Sequence, residues 1–200
     1  MEAFRVVTAL ACPLPRSGVD TDQLIPARFM KRSRAEGYGD YLLHDQRFDA
    51  EGRPRADFPL NDPARQGAHI LVARRNFGGG SSREAAVYAL VDYGFRCVIA
   101  PSFGDIFSSN AVNNGLLPAR VSEEDAETLL ALLAGGQAEL TVDLESCVIR
   151  CGNRSFDFTV PPVWRTKLLN GWDDIDLTLS HREEIARFAA DRPGWTLPGG

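Results

Sequence analysis

The chain's 200 residues are 44% hydrophobic and 24% charged, the balance of one globular domain rather than a disordered or fibrous chain. With 22 basic and 27 acidic residues the net charge is −5, which argues against nucleic acid as the main partner, because phosphate binding needs a basic footprint. No apolar stretch approaches the roughly 20 residues of a membrane span.

In chain order, residues 4–10 predict a first strand. The apolar run that ends at Cys12 is too short for a secretory core, and Pro13 and Pro15 follow at once, so the expected location is the cytoplasm. Residues 12–67 are rich in Pro, Gly, Asp and Arg and predict a long irregular stretch, of the kind that is often functional. An apolar run predicts a buried strand over 69–73, a tight loop over 76–80 and a buried helix over 81–93. A second buried strand is expected at 97–100, a helix at 102–113 and a short strand at 117–121. Ser122 followed by three acids marks a helix start, and Gly135-Gly136 its end. Short strands at 140–144, 147–150 and 155–158 come next. A helix opens at Pro161-Pro162, and Ser180 has capping-box spacing for a last helix to about residue 191. Alternating strands and helices followed by a strand-rich piece make an α/β domain with a mixed sheet, one domain over residues 1–200.

Cys12, Cys97, Cys147 and Cys151 lack the spacing of a zinc or iron–sulfur site and read as reduced structural thiols, so no metal is expected on this chain. Arg28, Lys31, Arg32 and Arg34 fall within seven positions; an acidic chain with such a cluster still binds a small anion.

The most informative segment is Asn76-Phe77-Gly78-Gly79-Gly80-Ser81-Ser82-Arg83-Glu84, set between a strand and a helix. Gly78, Gly79 and Gly80 let the backbone turn and approach an anion. A helix N-terminus offers free N–H groups, Ser81 and Ser82 add hydroxyls, and Arg83 adds a fork that fits a carboxylate. A P-loop would need Gly-Lys-Ser/Thr, and a dinucleotide fingerprint would need a glycine at Arg83. The residues alone leave two readings: a carboxylate or phosphate site, or a helix start with no ligand.

This segment closely resembles the signature of the swivelling domain of the aconitase superfamily. Three more segments resemble the small subunits of isopropylmalate dehydratases. They are Val19-Asp20-Thr21-Asp22-Gln23-Leu24-Ile25-Pro26, then Ala100-Pro101-Ser102-Phe103-Gly104-Asp105-Ile106-Phe107 with Asn113-Asn114-Gly115, and finally Leu168-Leu169-Asn170-Gly171-Trp172-Asp173-Asp174-Ile175. The four stand in order along nearly the whole chain. The resemblance implies a swivelling β/β/α domain like the aconitase C-terminal domain, with a mixed sheet flanked by helices. It implies isomerisation of 2-isopropylmalate to 3-isopropylmalate by dehydration and rehydration, with a small dicarboxylate as substrate. It also implies a large subunit as partner, carrying a [4Fe–4S] cluster that this chain does not bind.

By motif position, Ser81 resembles the serine that removes a proton from carbon, and Ser82 and Arg83 resemble substrate-carboxylate ligands. Asp22 resembles an acid that orients the site; its alternative is a turn or cap residue. Arg28, Arg32 and Arg34 fall where the family reads the substrate's variable tail, beside Ile25, Phe29 and Met30, which suit an apolar wall. Gly79 stands where relatives usually have Cys, and Ala85 where they usually have His. Neither is a residue given a catalytic role, and they admit a related substrate such as homoaconitate, citraconate or dimethylmalate. A binding or assembly subunit that keeps only the fold is the alternative of another class.

Overall fold

A computed structural model describes residues 1–191. In chain order the elements are β1 (Val6–Leu14), α1 (Thr21–Leu24), α2 (His44–Arg47), β2 (Ile70–Ala73), α3 (Ala85–Tyr93), β3 (Cys97–Ala100), α4 (Asp105–Asn113), β4 (Leu117–Arg120) and α5 (Glu123–Ala134). Then follow β5 (Glu139–Asp143), β6 (Val148–Cys151), β7 (Arg154–Asp157), α6 (Pro162–Asn170), α7 (Asp174–Ser180) and α8 (Arg182–Asp191). Among the described residues the strands form one seven-stranded mixed sheet in the order β4-β3-β2-β1-β5-β6-β7.

β1 is the spine. Its first half, Val6 to Leu10, pairs antiparallel with β5; its second half, Ala11 to Leu14, pairs parallel with β2. The strand runs four residues past its expected end, through Pro13. Proline is tolerated because of where its missing N–H would point. Ala11 N–H bonds the Ala138 carbonyl at 2.8 Å on the β5 side, and the amide two residues on faces the same side, beyond the end of β5. Arg65 fills that divergence, donating to the carbonyls of Ala11 (3.0 Å), Gln137 (3.2 Å) and Leu133 (2.6 Å).

Alternate strand residues feed two cores. Cys12, Leu14, Leu71, Ala73, Val98 and Ala100 face α3 and the segment after β1; Ala11, Ile70, Val72, Cys97, Ile99 and Ala119 face α5 and Leu140 to Phe158. The expected irregular stretch is a covering layer more than a loop. Short 3-10 turns satisfy its backbone locally, and Val19, Leu24, Ile25, Leu42, Leu43, Phe58 and Leu60 are buried in the first core. Ser122 caps α5 as expected, accepting from Asp125 N–H at 3.0 Å. Two readings change. α7 went unread, and its capping box is Asp173 with Asp176. The expected last helix is present as α8, but Ser180 is not its cap: it ends α7 and donates to Leu177 O at 2.6 Å.

Candidate active site

The glycine-serine loop leaves the C-terminal end of β2 and reaches α3 only at Ala85, four residues later than the pattern predicts. Ser81, Ser82 and Arg83 therefore stand in the loop ahead of the helix. The loop is clamped from two sides. From one side Val19 O accepts Gly78 N–H at 2.7 Å, and Thr21 N–H donates to Gly79 O at 2.9 Å. From the other, Ser102 Oγ accepts Asn76 N–H at 2.8 Å, Ser102 O accepts Phe77 N–H at 3.0 Å, and Gly104 N–H donates to Phe77 O at 2.9 Å. Gly78 has φ +71°, and its Cα lies so close to the Phe107 ring that a Cβ would sit 2.2 Å from ring carbon. Only glycine meets both conditions. Three motifs far apart in sequence thus build one surface.

The segment Asp20-Thr21-Asp22-Gln23 resolves into three tasks. Asp20 caps α1: its carboxylate accepts Gln23 N–H at 2.7 Å, and its own N–H reaches Gln23 Oε1 at 3.2 Å. Thr21 is buried and hydrogen-bonds the main chain of Ser81. Asp22 is free of capping and forms an ion pair with Arg83. The capping task of the turn therefore belongs to Asp20, and Asp22 faces the loop. The reading of the sequence missed Asp20 and Thr21, although the D-x-x-Q spacing of a capping box would have found the first. It also missed Glu84, whose carboxylate accepts from Asn114 Nδ2 at 2.9 Å and so ties the loop to the end of α4.

The surface is open. Gly80, Ser81 and Ser82 are exposed, and the Arg83 and Asp22 side chains keep 27% and 57% of their exposure. Among the described residues the N–H groups of Gly80, Ser82 and Ala85 have no protein acceptor. Two hydroxyls, a guanidinium and free N–H groups therefore gather where a small carboxylate would be held.

The three arginines of the tail segment are each already paired. Arg28 pairs with Asp45 and lies 4.5 Å over the Phe29 ring. Arg32 makes a long 3.5 Å contact with Glu36. Arg34 grips Asp92 on α3 through Nε and Nη2 (2.6–3.2 Å) and stacks 4.0 Å over Tyr88. Ile25 is fully buried in the core and lines no wall; Phe29 and Met30 stay half-buried.

Cys12 and Cys97 lie buried on opposite faces of the sheet. Burial pushes the Cys12 thiol up to about 12 and the Cys97 thiol up as well, the reverse of what thiolate ligation requires. Among the described residues no group of three or more His, Cys, Asp and Glu side chains is set to hold a metal ion. No helix among them is long and apolar enough to cross a membrane.

Residues 1–124 match the family model described as the aconitase C-terminal domain. The chain is 47% identical over 94% of its length to the 3-isopropylmalate dehydratase small subunit of Shouchella clausii, of which it covers 95%. It is 46% identical over 98% of its length to the protein of the same name from Bacillus subtilis, of which it covers 98%. Its fold is similar to the crystal structure of 3-isopropylmalate dehydratase from Methanocaldococcus jannaschii, with a TM-score of 0.64 at 23% identity over 92% of this chain and 99% of that one.

Proposed function

The chain belongs to the aconitase C-terminal domain family and, within it, to the 3-isopropylmalate dehydratase small subunits, and from that premise we propose how its residues serve the reaction. It is the small subunit of a hydro-lyase of leucine biosynthesis and works with a large subunit. The proposal concerns the substrate, the division of chemistry between the subunits and the site residues.

A malate-like dicarboxylate, 2-isopropylmalate, sits on the open surface with one carboxylate in the fork of Arg83. Ser82 and the free N–H groups supply further donors. Ser81 removes the proton from the carbon beside the hydroxyl-bearing one as the hydroxyl departs; on rehydration a proton is delivered to the carbon that had carried the hydroxyl, and the hydroxyl adds to its neighbour. An ordinary serine is too weak an acid for this, so its alkoxide needs fixed dipoles, and the unpaired loop N–H groups meet that need. Asp22 orients Arg83. The [4Fe–4S] cluster belongs to the large subunit, where it supplies the Lewis acidity for the departing hydroxyl. All 200 residues act as one cytoplasmic domain with no part for nucleic acid.

One observation carries the reading: Asp22 and Arg83, 61 positions apart, join beside two exposed serines and unpaired N–H groups. The apolar tail is favoured over an acidic one because Arg28, Arg32 and Arg34 each already face a carboxylate. A third substrate carboxylate would have to displace one of these partners, with Arg32 the least tightly held. Phe29 and Met30 offer the isopropyl group an apolar contact. Arg34 serves to anchor the tail segment on α3.

The test uses the complex co-expressed with its large subunit under anaerobic conditions. Ser81→Ala lowers kcat by about 10²–10⁴-fold while substrate still binds, as expected for a group acting in proton transfer. Arg83→Lys mainly raises KM, since a point charge does not replace a fork. Near-normal turnover by Ser81→Ala refutes the assignment.

A further inference from the structure

We propose that Thr21 is the positioning residue for Ser81, a role that rests on the reading of Ser81 as the proton-removing group. Thr21 is 1% exposed, a polar side chain inside the core. A buried hydroxyl requires partners, and this one finds both on a single residue. It accepts the Ser81 N–H at 3.1 Å and donates to the Ser81 carbonyl at 3.1 Å. The Thr21 main chain adds the bond to Gly79 O at 2.9 Å. Ser81 is thus held through its backbone, and its own hydroxyl is left free to work.

The surroundings explain why such a latch is needed. Ser81 follows Gly80, which has φ +95° and is exposed, and precedes Ser82, whose N–H is unpaired. Arg83 N–H reaches the Ser81 carbonyl at 2.8 Å, but that bond lies within the loop and fixes nothing relative to the rest of the fold. Thr21, by contrast, is anchored. The Asp20–Gln23 capping box sets α1, and Leu24 and Ile25 beside it are fully buried. The β-branched side chain restricts χ1, which holds the hydroxyl in line. Position matters here because a displacement of about 1 Å of a reacting group lowers a rate by about a hundredfold.

The test compares Thr21→Val, Thr21→Ser and Ser81→Ala, alone and combined, in the complex with the large subunit. Valine keeps the shape and removes the hydroxyl; serine keeps the hydroxyl and removes the methyl. Thr21→Val lowers kcat by about 10- to 100-fold with KM changed less than about threefold. Thr21→Ser restores kcat to within about threefold of the parent. On the Ser81→Ala background Thr21→Val lowers kcat by less than about twofold further, because the group it positions is gone. Thermal unfolding of each variant separates a lost fold from a misplaced serine; if Thr21→Val does not fold, Thr21→Ser decides by its kcat. Equal impairment of the serine and valine variants overturns the proposal, and so does a full Thr21→Val loss on top of Ser81→Ala. If Ser81→Ala itself turns over normally, the failure lies in the reading of Ser81, and the role of Thr21 falls with it. If Ser81→Ala is dead and Thr21→Val keeps parental kcat, only the role of Thr21 is wrong.

Discussion

Replacing Gly78 by alanine puts a methyl carbon where the Phe107 ring already is. The added Cβ would lie 2.2 Å from ring Cγ and 2.5–2.6 Å from the two Cδ atoms. Phe107 has little room to yield, being 3% exposed and packed against Phe77 (ring centroids 5.5 Å apart) and Phe103 (6.4 Å). Overpacking of this kind costs about 1–3 kcal/mol. The backbone at φ +71° adds about 1–2 kcal/mol for any residue with a Cβ. The sum, about 2–5 kcal/mol, corresponds to a fall in Tm of about 4–20 °C for a domain of this size. Gly79→Cys is the control. Gly79 does not have positive φ, and the nearest atom to its Cβ is Asn76 Oδ1 at 3.2 Å, a side-chain atom able to shift. Its Tm stays within about 3 °C of the parent. Differential scanning calorimetry of the purified chain reads both variants. A Gly78→Ala protein within about 2 °C of the parent would refute the steric argument, as would equal losses for the two variants.

Lys167 is 3% exposed and donates to Asn113 Oδ1 and, at 2.5 Å, to Asp174 Oδ1, joining α4, α6 and α7. Lys167→Met keeps the alkyl stem and loses the charge-assisted bonds, a loss of about 1–3 kcal/mol seen as a lower Tm at pH 7. The bond from Lys167 first, and a second donated by Asn113 Nδ2 to Asp174 Oδ2 at 3.0 Å, hold the Asp174 carboxyl below its ordinary value. A depressed folded-state pKa adds stability above the unfolded value, about 3.9, and that stability disappears as pH falls through the folded value. The Tm gap between parent and Lys167→Met therefore narrows below about pH 4, and a gap constant down to about pH 2 contradicts the pairing. In the folded chain only Cys147, the half-buried thiol, reacts with a thiol reagent at about pH 8; Cys12, Cys97 and Cys151 are buried, with thiols pushed up by desolvation, and react only in denaturant. Rapid labelling of Cys12 in the native chain would contradict its burial.

Much of the fold was legible because long periodic or apolar runs depend on few competing forces. The helix after Ser122 and the buried strands at Leu71 and Ile99 read directly from cap and pattern. The losses came where tertiary pairing overrides a local signal. Pro13 reads as a strand end, yet its amide side faces no partner strand, so β1 continues. The stretch around Leu42, Phe58 and Leu60 reads as loop because its 3-10 turns are too short to show a period, although its apolar side chains fill a core. At the site, the glycines and serines left an anion loop and a ligand-free helix start both open, and the family resemblance picked out Asp22. The pairing of Asp22 with Arg83 and the latch of Thr21 on Ser81 each span about 60 residues. No local pattern encodes such a contact; only the parallel approach of the two segments creates it.

The Asp22–Arg83 pair also bears on why an open surface suffices for half of a site. Both side chains are partly solvated, so the pair adds little stability, in the range of 0–1 kcal/mol for exposed ion pairs. It nevertheless restrains the guanidinium, which would otherwise search many rotamers in water. On the proposed reading, a substrate carboxylate arriving there meets the guanidinium N–H groups that the single Nη1 bond to Asp22 leaves free, with little rearrangement of Arg83. When a large subunit covers the surface, the falling local dielectric strengthens every charge contact that remains. An unpaired Arg83 would then be costlier to cover than one already facing a carboxylate. Asp22 thus keeps Arg83 paired before any partner covers the surface. That accounts for a charged, exposed loop on a chain that works only as one part of a complex.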